Sequence, residues 1–427
     1  MRPSSPRHLR RAAQTPTGTQ RGSDSRRRRR APIVVVIVVA FAIGTGLTMV
    51  SAGAIGFGSG RAPAFGLNPA LLVKRDRPTT KPRATQSPSR LSPTTVAPST
   101  SAPRTAAPSA PDANAPSPVE LKDASSGLVL TSPNALSRYP FIDDMTIQSV
   151  DWSNLEPQPG AYDFSAIDQV LRSHPNAKAR LRIYAGFRAP RWLDKVSGPC
   201  IPISGGVSGV SGCAPRFWTD AYLERYARFM RALAAHYDPN PQVVGVINAA
   251  CSTVFAEPFI LGIGSDHGSA QRLAAAGLNE ASHRHCIEQS TASMDTAFQR
   301  TRMVLDGHTK WQIVTPGGGR ADSWVKERDL LNALRGQYGG KLVVEDHGLG
   351  PTDGCSPGQP LSSATSWYCW LASLPGPKGF QFTLRGGSMS TATSNGLQMN
   401  ACFLEFAGFT QIAAQQVDTR LSANPGC

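Results

Sequence analysis

Apolar residues fall into two regimes along this chain. Between Ala31 and Phe57 they run almost unbroken, and no charge occurs between Arg30 and Arg61. From about residue 120 they come instead as short β-type runs that alternate with stretches of helical spacing. The short runs predict strands at Gly127–Leu130, Met145–Val150, Ala179–Tyr184, Val243–Asn248, Trp311–Thr315, Lys341–Val344, Lys378–Leu384 and Gln411–Val417. Helices are predicted at Ser165–Arg172, Thr219–His236, Gln289–Leu305, Trp324–Arg335 and Leu397–Phe409. The clearest is the second, where Tyr222, Tyr226, Phe229, Leu233 and Tyr237 recur at helical spacing. Strands that alternate with helices argue for parallel β/α units.

The first regime reads as a membrane segment. An apolar run of about 20 residues spans a bilayer as a helix. The run Arg26 to Arg30 precedes it, which keeps the tail 1–30 cytoplasmic and sends the bulk of the chain outside. The competing reading is a cleaved signal peptide, for which Ala52-Gly53-Ala54 has the small-residue pattern. Both export the remainder. Residues 58–119 are dense in Pro, Ser, Thr and Ala, a composition that cannot bury enough apolar surface to fold, so a disordered linker is expected there. The domain expected from 120 to 427 is thus extracytoplasmic. All eight cysteines lie in it, an even number that suggests disulfides, and sequential pairing would close four local loops.

A formal charge of +15 raises the question of nucleic acid. Residues 1–120 hold 18 Lys/Arg against 4 Asp/Glu, leaving 26 against 25 for the rest. The basicity therefore belongs to the tail and linker, whereas a nucleic-acid-binding domain carries its own basic face. No nucleic-acid partner is expected. Gly317-Gly318-Gly319 lacks the Lys and Ser/Thr of a phosphate loop, and no Gly-x-Ser-x-Gly elbow occurs. There is no Cys-x2-Cys pair, and His283 and His285 beside Cys286 read as loop residues, so neither a metal nor a cofactor is expected.

The most informative stretch is residues 145–171. It reads as a strand, Trp152, the turn Leu155-Glu156-Pro157 with Pro159-Gly160, Tyr162-Asp163-Phe164 and an amphipathic helix. It resembles the second β/α unit of the retaining barrel glycoside hydrolases, the superfamily of β-galactosidases, cellulases and β-mannanases. The resemblance covers about residues 125–410 and implies an α/β, (β/α)8 TIM-barrel fold acting on carbohydrate. It also implies two carboxylates at the C-terminal face, one to protonate the leaving oxygen and one to attack the anomeric carbon. The segment Val243 to Pro258 follows a long helix and resembles the fourth unit, which makes Glu257 the expected acid/base. Ala256 stands where the family often has a sugar-contacting Asn.

Glu345, at the end of the apolar strand Lys341 to Val344, is the expected second carboxylate. It falls on the sixth predicted strand, while the family nucleophile sits on the seventh, where this chain has Gln381. Either Glu345 is the nucleophile and the strand count is off by one, or that carboxylate is lost. His347 matches a sugar-contacting His of some members. Trp152 and Tyr184 offer flat faces to a pyranose ring, and Asn248 ends a strand with a polar group. The Leu-Glu-Pro residue Glu156 is expected to be structural. Three functions stand as expectations: a membrane-tethered hydrolase of a cell-surface or extracellular glycan; a non-catalytic glycan-binding barrel, favoured by Ala256 and Gln381; and a luminal glycosyltransferase. Against the last stands the absence of any Asp-x-Asp motif.

Overall fold

The computed structural model describes residues 119–204, 211–264, 268–350, 352–355, 363–382, 389–406 and 414–424. The tail, the anchor expected at 31–57 and all of the linker but its last residue lie outside these. Among the described residues no helix is long and apolar enough to cross a membrane.

Eight parallel strands close into a barrel: β1 Gly127–Leu130, β2 Asp144–Asp151, β3 Lys178–Tyr184, β4 Val243–Ile247, β5 Arg302–Gly307, β6 Leu342–Leu349, β7 Lys378–Phe382 and β8 Phe403–Phe406. The ring is sealed where Gly127 of β1 pairs with Phe403 of β8 and Leu130 with Met145 of β2. The described segments between strands carry helices, among them α1 Ser165–Ser173, α2 Asp220–Tyr237, α3 Glu280–Ala297, α4 Trp324–Tyr338 and α5 Ser363–Ser373. Strands covered by helices on one side and packed against each other on the other side are buried on both faces. That explains runs such as Val243–Ile247, in which every residue is buried.

Two predicted strands are corrected. Trp311–Val314 is a strand, but it pairs antiparallel with Arg320–Ser323 in a hairpin outside the barrel. The fifth barrel strand is Arg302–Gly307, which overlaps the end of the helix expected over Gln289–Leu305; that helix, α3, stops at Ala297. The eighth is Phe403–Phe406, not Gln411–Val417: residues 411–413 lie outside the described ones, and Ala414–Ser422 is helical. The helix expected over Leu397–Phe409 ends at Gln398. One false strand stood in for one true strand on each occasion, so Glu345 does lie on the sixth strand and Gln381 on the seventh.

The loops at the C-terminal ends of the strands are tied down. Cys200 bonds Cys213 across a two-stranded ribbon after β3, Cys251 ties the loop after β4 to α3 through Cys286, and Cys355 ties the loop after β6 to α5 through Cys369. All three follow the sequential order. Cys402 is also disulfide-bonded, and Cys427 lies outside the described residues.

Candidate active site

Alternation along a strand sends residues i and i+2 to the same face. On β3 this aims Arg180 and Arg182 into the barrel; on β6 it aims Glu345 and His347. Asp306 of β5 is the cross-strand partner of Glu345, and Glu405 of β8 is that of Gln381. The inward residues of five strands therefore meet in one charged network.

At its base, Arg180 donates from Nη1 to Glu345 Oε2 at 2.8 Å and pairs through Nη2 with Glu405. Its guanidinium lies 4.1 Å above the Phe403 ring. Arg182 donates to both oxygens of Glu405, at 2.7 and 3.0 Å, and reaches Glu345 Oε1 at 3.3 Å. Thr146 and Gln381 also donate to Glu405, at 2.7 and 2.8 Å. Buried charges survive only when paired and hydrogen-bonded, and these four ion pairs satisfy that condition with every side chain nearly inaccessible. Burial pushes the Glu345 carboxyl up. Arg180 and His347, with Arg182 behind them, more than offset it and hold the group well below the usual carboxylate range. Glu405 is held low against burial in the same way, by Arg182 and Arg180.

His347 caps this base. Its Nε2 stands 3.1 Å from Glu345 Oε1 and 2.9 Å from Arg182 Nη2, and its Nδ1 stands 3.2 Å from Glu257 Oε1 and 3.4 Å from Asp306 Oδ2. Burial disfavours the imidazolium and Arg182 adds to that. Asp306, Glu345 and Glu257 outweigh both and raise its pKa to about 10. Glu257 is the carboxylate of this cluster closest to solvent, at 9 % exposure against 0 % for Asp306, Glu345 and Glu405. Burial pushes its carboxyl up, but the hydrogen bond and charge of His347, aided by His308 and Arg182, leave it below its ordinary value. Asp306 goes the other way: burial and the neighbouring carboxylates raise it well above its ordinary value.

Glu257 lies ten residues beyond β4, and the chain has specific means of bringing it back. The carbonyl of Pro258 is 2.9 Å from His283 Nε2, and Trp311 donates from Nε1 to His283 Nδ1 at 3.0 Å. His283 is therefore a buried strut of α3, not a loop residue; burial keeps it neutral, with its pKa down at about 4. Phe187 donates its backbone N–H to Thr253 at 2.7 Å, locking the loop after β3 to the one after β4. That approach requires Gly186, whose φ is +54° and where a Cβ would stand 2.0 Å from the Thr253 carbonyl oxygen.

Glu257, Glu345, His347 and Gln381 thus converge. Tyr184 ends β3 half-buried at the rim; burial raises its hydroxyl pKa, the Arg182 charge opposes that and the Glu405 and Glu257 charges add to it, with the Arg188 guanidinium 5.2 Å from its ring. Two expected sugar contacts are corrected. Trp152 is wholly buried, stacked on Phe229 at 5.2 Å with Tyr222 and Tyr226 edge-on, and offers no face to a ligand. Asn248 points out to α3, donating to Ser290 and Thr291 at 2.9 and 3.1 Å. Sequence reasoning missed Arg180, Asp306 and Glu405 as site residues. Glu405 lies within, and Asp306 directly after, a stretch that reads as helix, and the signal that could have found them is a carboxylate behind a run of apolar residues.

Residues 137–248 match the model of glycoside hydrolase family 42, described as β-galactosidase. No curated protein sequence matches the chain. Among solved structures it is similar to the β-galactosidase from Rahnella sp., at 12 % identity over 70 % of this chain and 56 % of that one, with a TM-score of 0.41. It is similar to endo-glycoceramidase II from Rhodococcus sp. at 15 % identity, 70 % and 81 % coverage and 0.39. A catalytic mutant of a family 42 β-galactosidase from G. stearothermophilus aligns at 12 % identity, 71 % and 57 % coverage and 0.42. This chain spans little more than half the length of both β-galactosidases. The family match falls on the units from β2 to β4, which carry the Leu-Glu-Pro turn.

Proposed function

We propose that the barrel is the exported, membrane-tethered domain of a glycoside hydrolase, with its cleft at the C-terminal rim bounded by Tyr184, Glu257 and Gln381. The observation that carries this reading is the convergence of Glu257 and Glu345 on the two nitrogens of one imidazole, at 3.2 and 3.1 Å. In the free protein His347 covers Glu345 and keeps Glu257 ionised. A sugar ring that displaces the imidazole changes both at once. It uncovers Glu345, which Arg180 and Arg182 hold ionised and ready to attack the anomeric carbon. It also removes the group that keeps the Glu257 carboxyl low, so burial takes over and Glu257 takes up the proton it then gives to the leaving oxygen. Opposite shifts on paired carboxylates are how acid and nucleophile are kept distinct in such sites. The Arg run before residue 31 and the disulfides, which belong to oxidising compartments, support export.

A second reading has its own support: Gln381, not a carboxylate, is the partner of Glu405 on β7, and Glu345 has no exposed surface. That reading is a glycan-binding barrel without catalysis. Hydrolysis of a panel of aryl glycosides and oligosaccharides separates the two. The hydrolase reading expects turnover by wild type and a ~10²–10⁴-fold lower kcat in Glu257→Gln, the usual weight of general acid–base catalysis. Binding of glycans by wild type with no cleavage of any would leave the binding barrel.

A further inference from the structure

Two-carboxylate chemistry leaves Asp306 without a role. It is wholly buried, and neither of its carboxylate oxygens accepts a hydrogen bond. A buried carboxylate without donors costs several kcal/mol unless it is protonated, paired or bound to a metal. The nearest group with charge to offer is His347, whose Nδ1 already serves Glu257. One oxygen of Glu257, one of Asp306 and Nδ1 of His347 all lie within 4.8 Å of one another.

Two of the three donor separations are 3.2 and 3.4 Å. Ligand atoms ~2.0–2.1 Å from a tetrahedral Zn²⁺ stand about 3.3–3.4 Å apart. The third, between the carboxylates, is no more than 4.8 Å and closes by rotation of Glu257, which is on a loop. One imidazole nitrogen and two carboxylates form a borderline donor set suited to Zn²⁺. Metal-bound histidines commonly give their second N–H to a carboxylate. Glu345 Oε1 is placed for that, 3.1 Å from Nε2, while Arg182 keeps Glu405 as its partner. The charge also balances. With Arg180 and Arg182 against Glu345 and Glu405, a divalent ion neutralises the ionised pair Glu257 and Asp306 beside an uncharged His347.

We propose that Glu257, Asp306 and His347 form a Zn²⁺ site, with the fourth position open towards the cleft, and that the ion silences the hydrolytic site. The silencing part rests on the hydrolase function proposed for the same residues: an ion on Nδ1 pins His347 over Glu345 and occupies the oxygen that Glu257 needs for its proton. The binding part stands without it.

The test uses the full-length chain, stripped with a chelator and titrated with zinc chloride by calorimetry. One ion per chain is expected, with affinity at least 100-fold weaker in Asp306→Asn and in His347→Gln, each checked for native far-UV circular dichroism. Should either variant fail to fold, Glu257→Gln at the more accessible edge provides the same comparison. No stoichiometric binding, or equal binding by wild type and Asp306→Asn, overturns the site. Hydrolysis measured on the same samples is expected to be lost with Zn²⁺ and restored by chelator. Turnover indifferent to bound Zn²⁺ overturns the silencing. Zn²⁺ binding that depends on Asp306, with no turnover even after chelation, keeps the site and sinks the hydrolase reading.

Discussion

Arg180 shows how much rests on single residues here. Its guanidinium bridges Glu345 and Glu405, touches Thr146 and lies on Phe403, and it is almost fully inaccessible. Burying such pairs adds little net stability over an apolar core, but removing one partner strands the other charge at a cost of about 3–5 kcal/mol. Arg180→Met is therefore expected to lower unfolding free energy by about that amount in urea. A loss under about 1 kcal/mol would mean that Arg182 alone satisfies both glutamates. At this scale the sequence is half legible. Glu257, Glu345, His347 and Gln381 can be named because each follows or ends a recognisable strand. Asp306 and Glu405 cannot, because their strands read as continuations of helices, and a residue's role cannot be read before its element is.

The elements explain why that happens. A run of four apolar residues is compatible with a buried strand or with one side of a buried helix, and periodicity does not separate them. Phe403–Phe406 has no alternation to offer, since every one of its residues is buried. Thr219 and the amphipathic stretch after it announce α2, and the cap is there, with the Thr219 side chain accepting from the Tyr222 backbone. The Leu-Glu-Pro turn is legible for a physical reason. Glu156 accepts from the Trp152 indole and the Gly160 backbone, both at 2.8 Å, and its own carbonyl accepts from Trp192 at 3.1 Å, so one side chain sets both ends of the turn. The same contact is why Trp152, read from sequence as a sugar platform, is instead a core residue. Glu156→Ala leaves a buried indole N–H without a partner, which costs about 1–3 kcal/mol. Glu156→Gln keeps one acceptor and is expected to recover part of that. Urea unfolding midpoints in the order wild type, Gln, Ala check the account; equal midpoints for all three would show that water replaces the carboxylate at no cost.

For the whole molecule, a barrel centred on charge must have a stability that depends on pH in two directions. Glu345, Glu405 and Glu257 have carboxyls held below their ordinary values. Their contribution is complete above the unfolded pKa near 4.5 and is lost as pH falls through the folded values. Asp346 and Asp144 are raised, chiefly by burial, to about 7 and about 6. The folded state holds their protons more tightly than the unfolded chain does. Their contribution is therefore complete below about pH 3.8 and is lost as pH rises through 6 and 7. At ~1.4 kcal/mol per pH unit the Asp346 shift alone corresponds to roughly 4 kcal/mol, an order of magnitude and an upper one. His347, raised to about 10, adds stability that is complete below about 6.5 and fades towards pH 10. The lowered carboxylates contribute in full only above about pH 4.5, where the two aspartate terms are already being lost, so these terms together put the peak of melting temperature between about pH 4 and 5, with a fall by pH 8. Asp346 faces outward from β6 to α5, taking bonds from Trp367 and Tyr368 at 2.9 and 3.3 Å, clear of the barrel interior. Asp346→Asn should thus flatten the fall between pH 5 and 8 while leaving the acid limb unchanged. A wild-type melting temperature that is flat or rising over that interval would contradict the assignment of protons to these two buried aspartates, and with it the view that burial, more than partner charge, governs them.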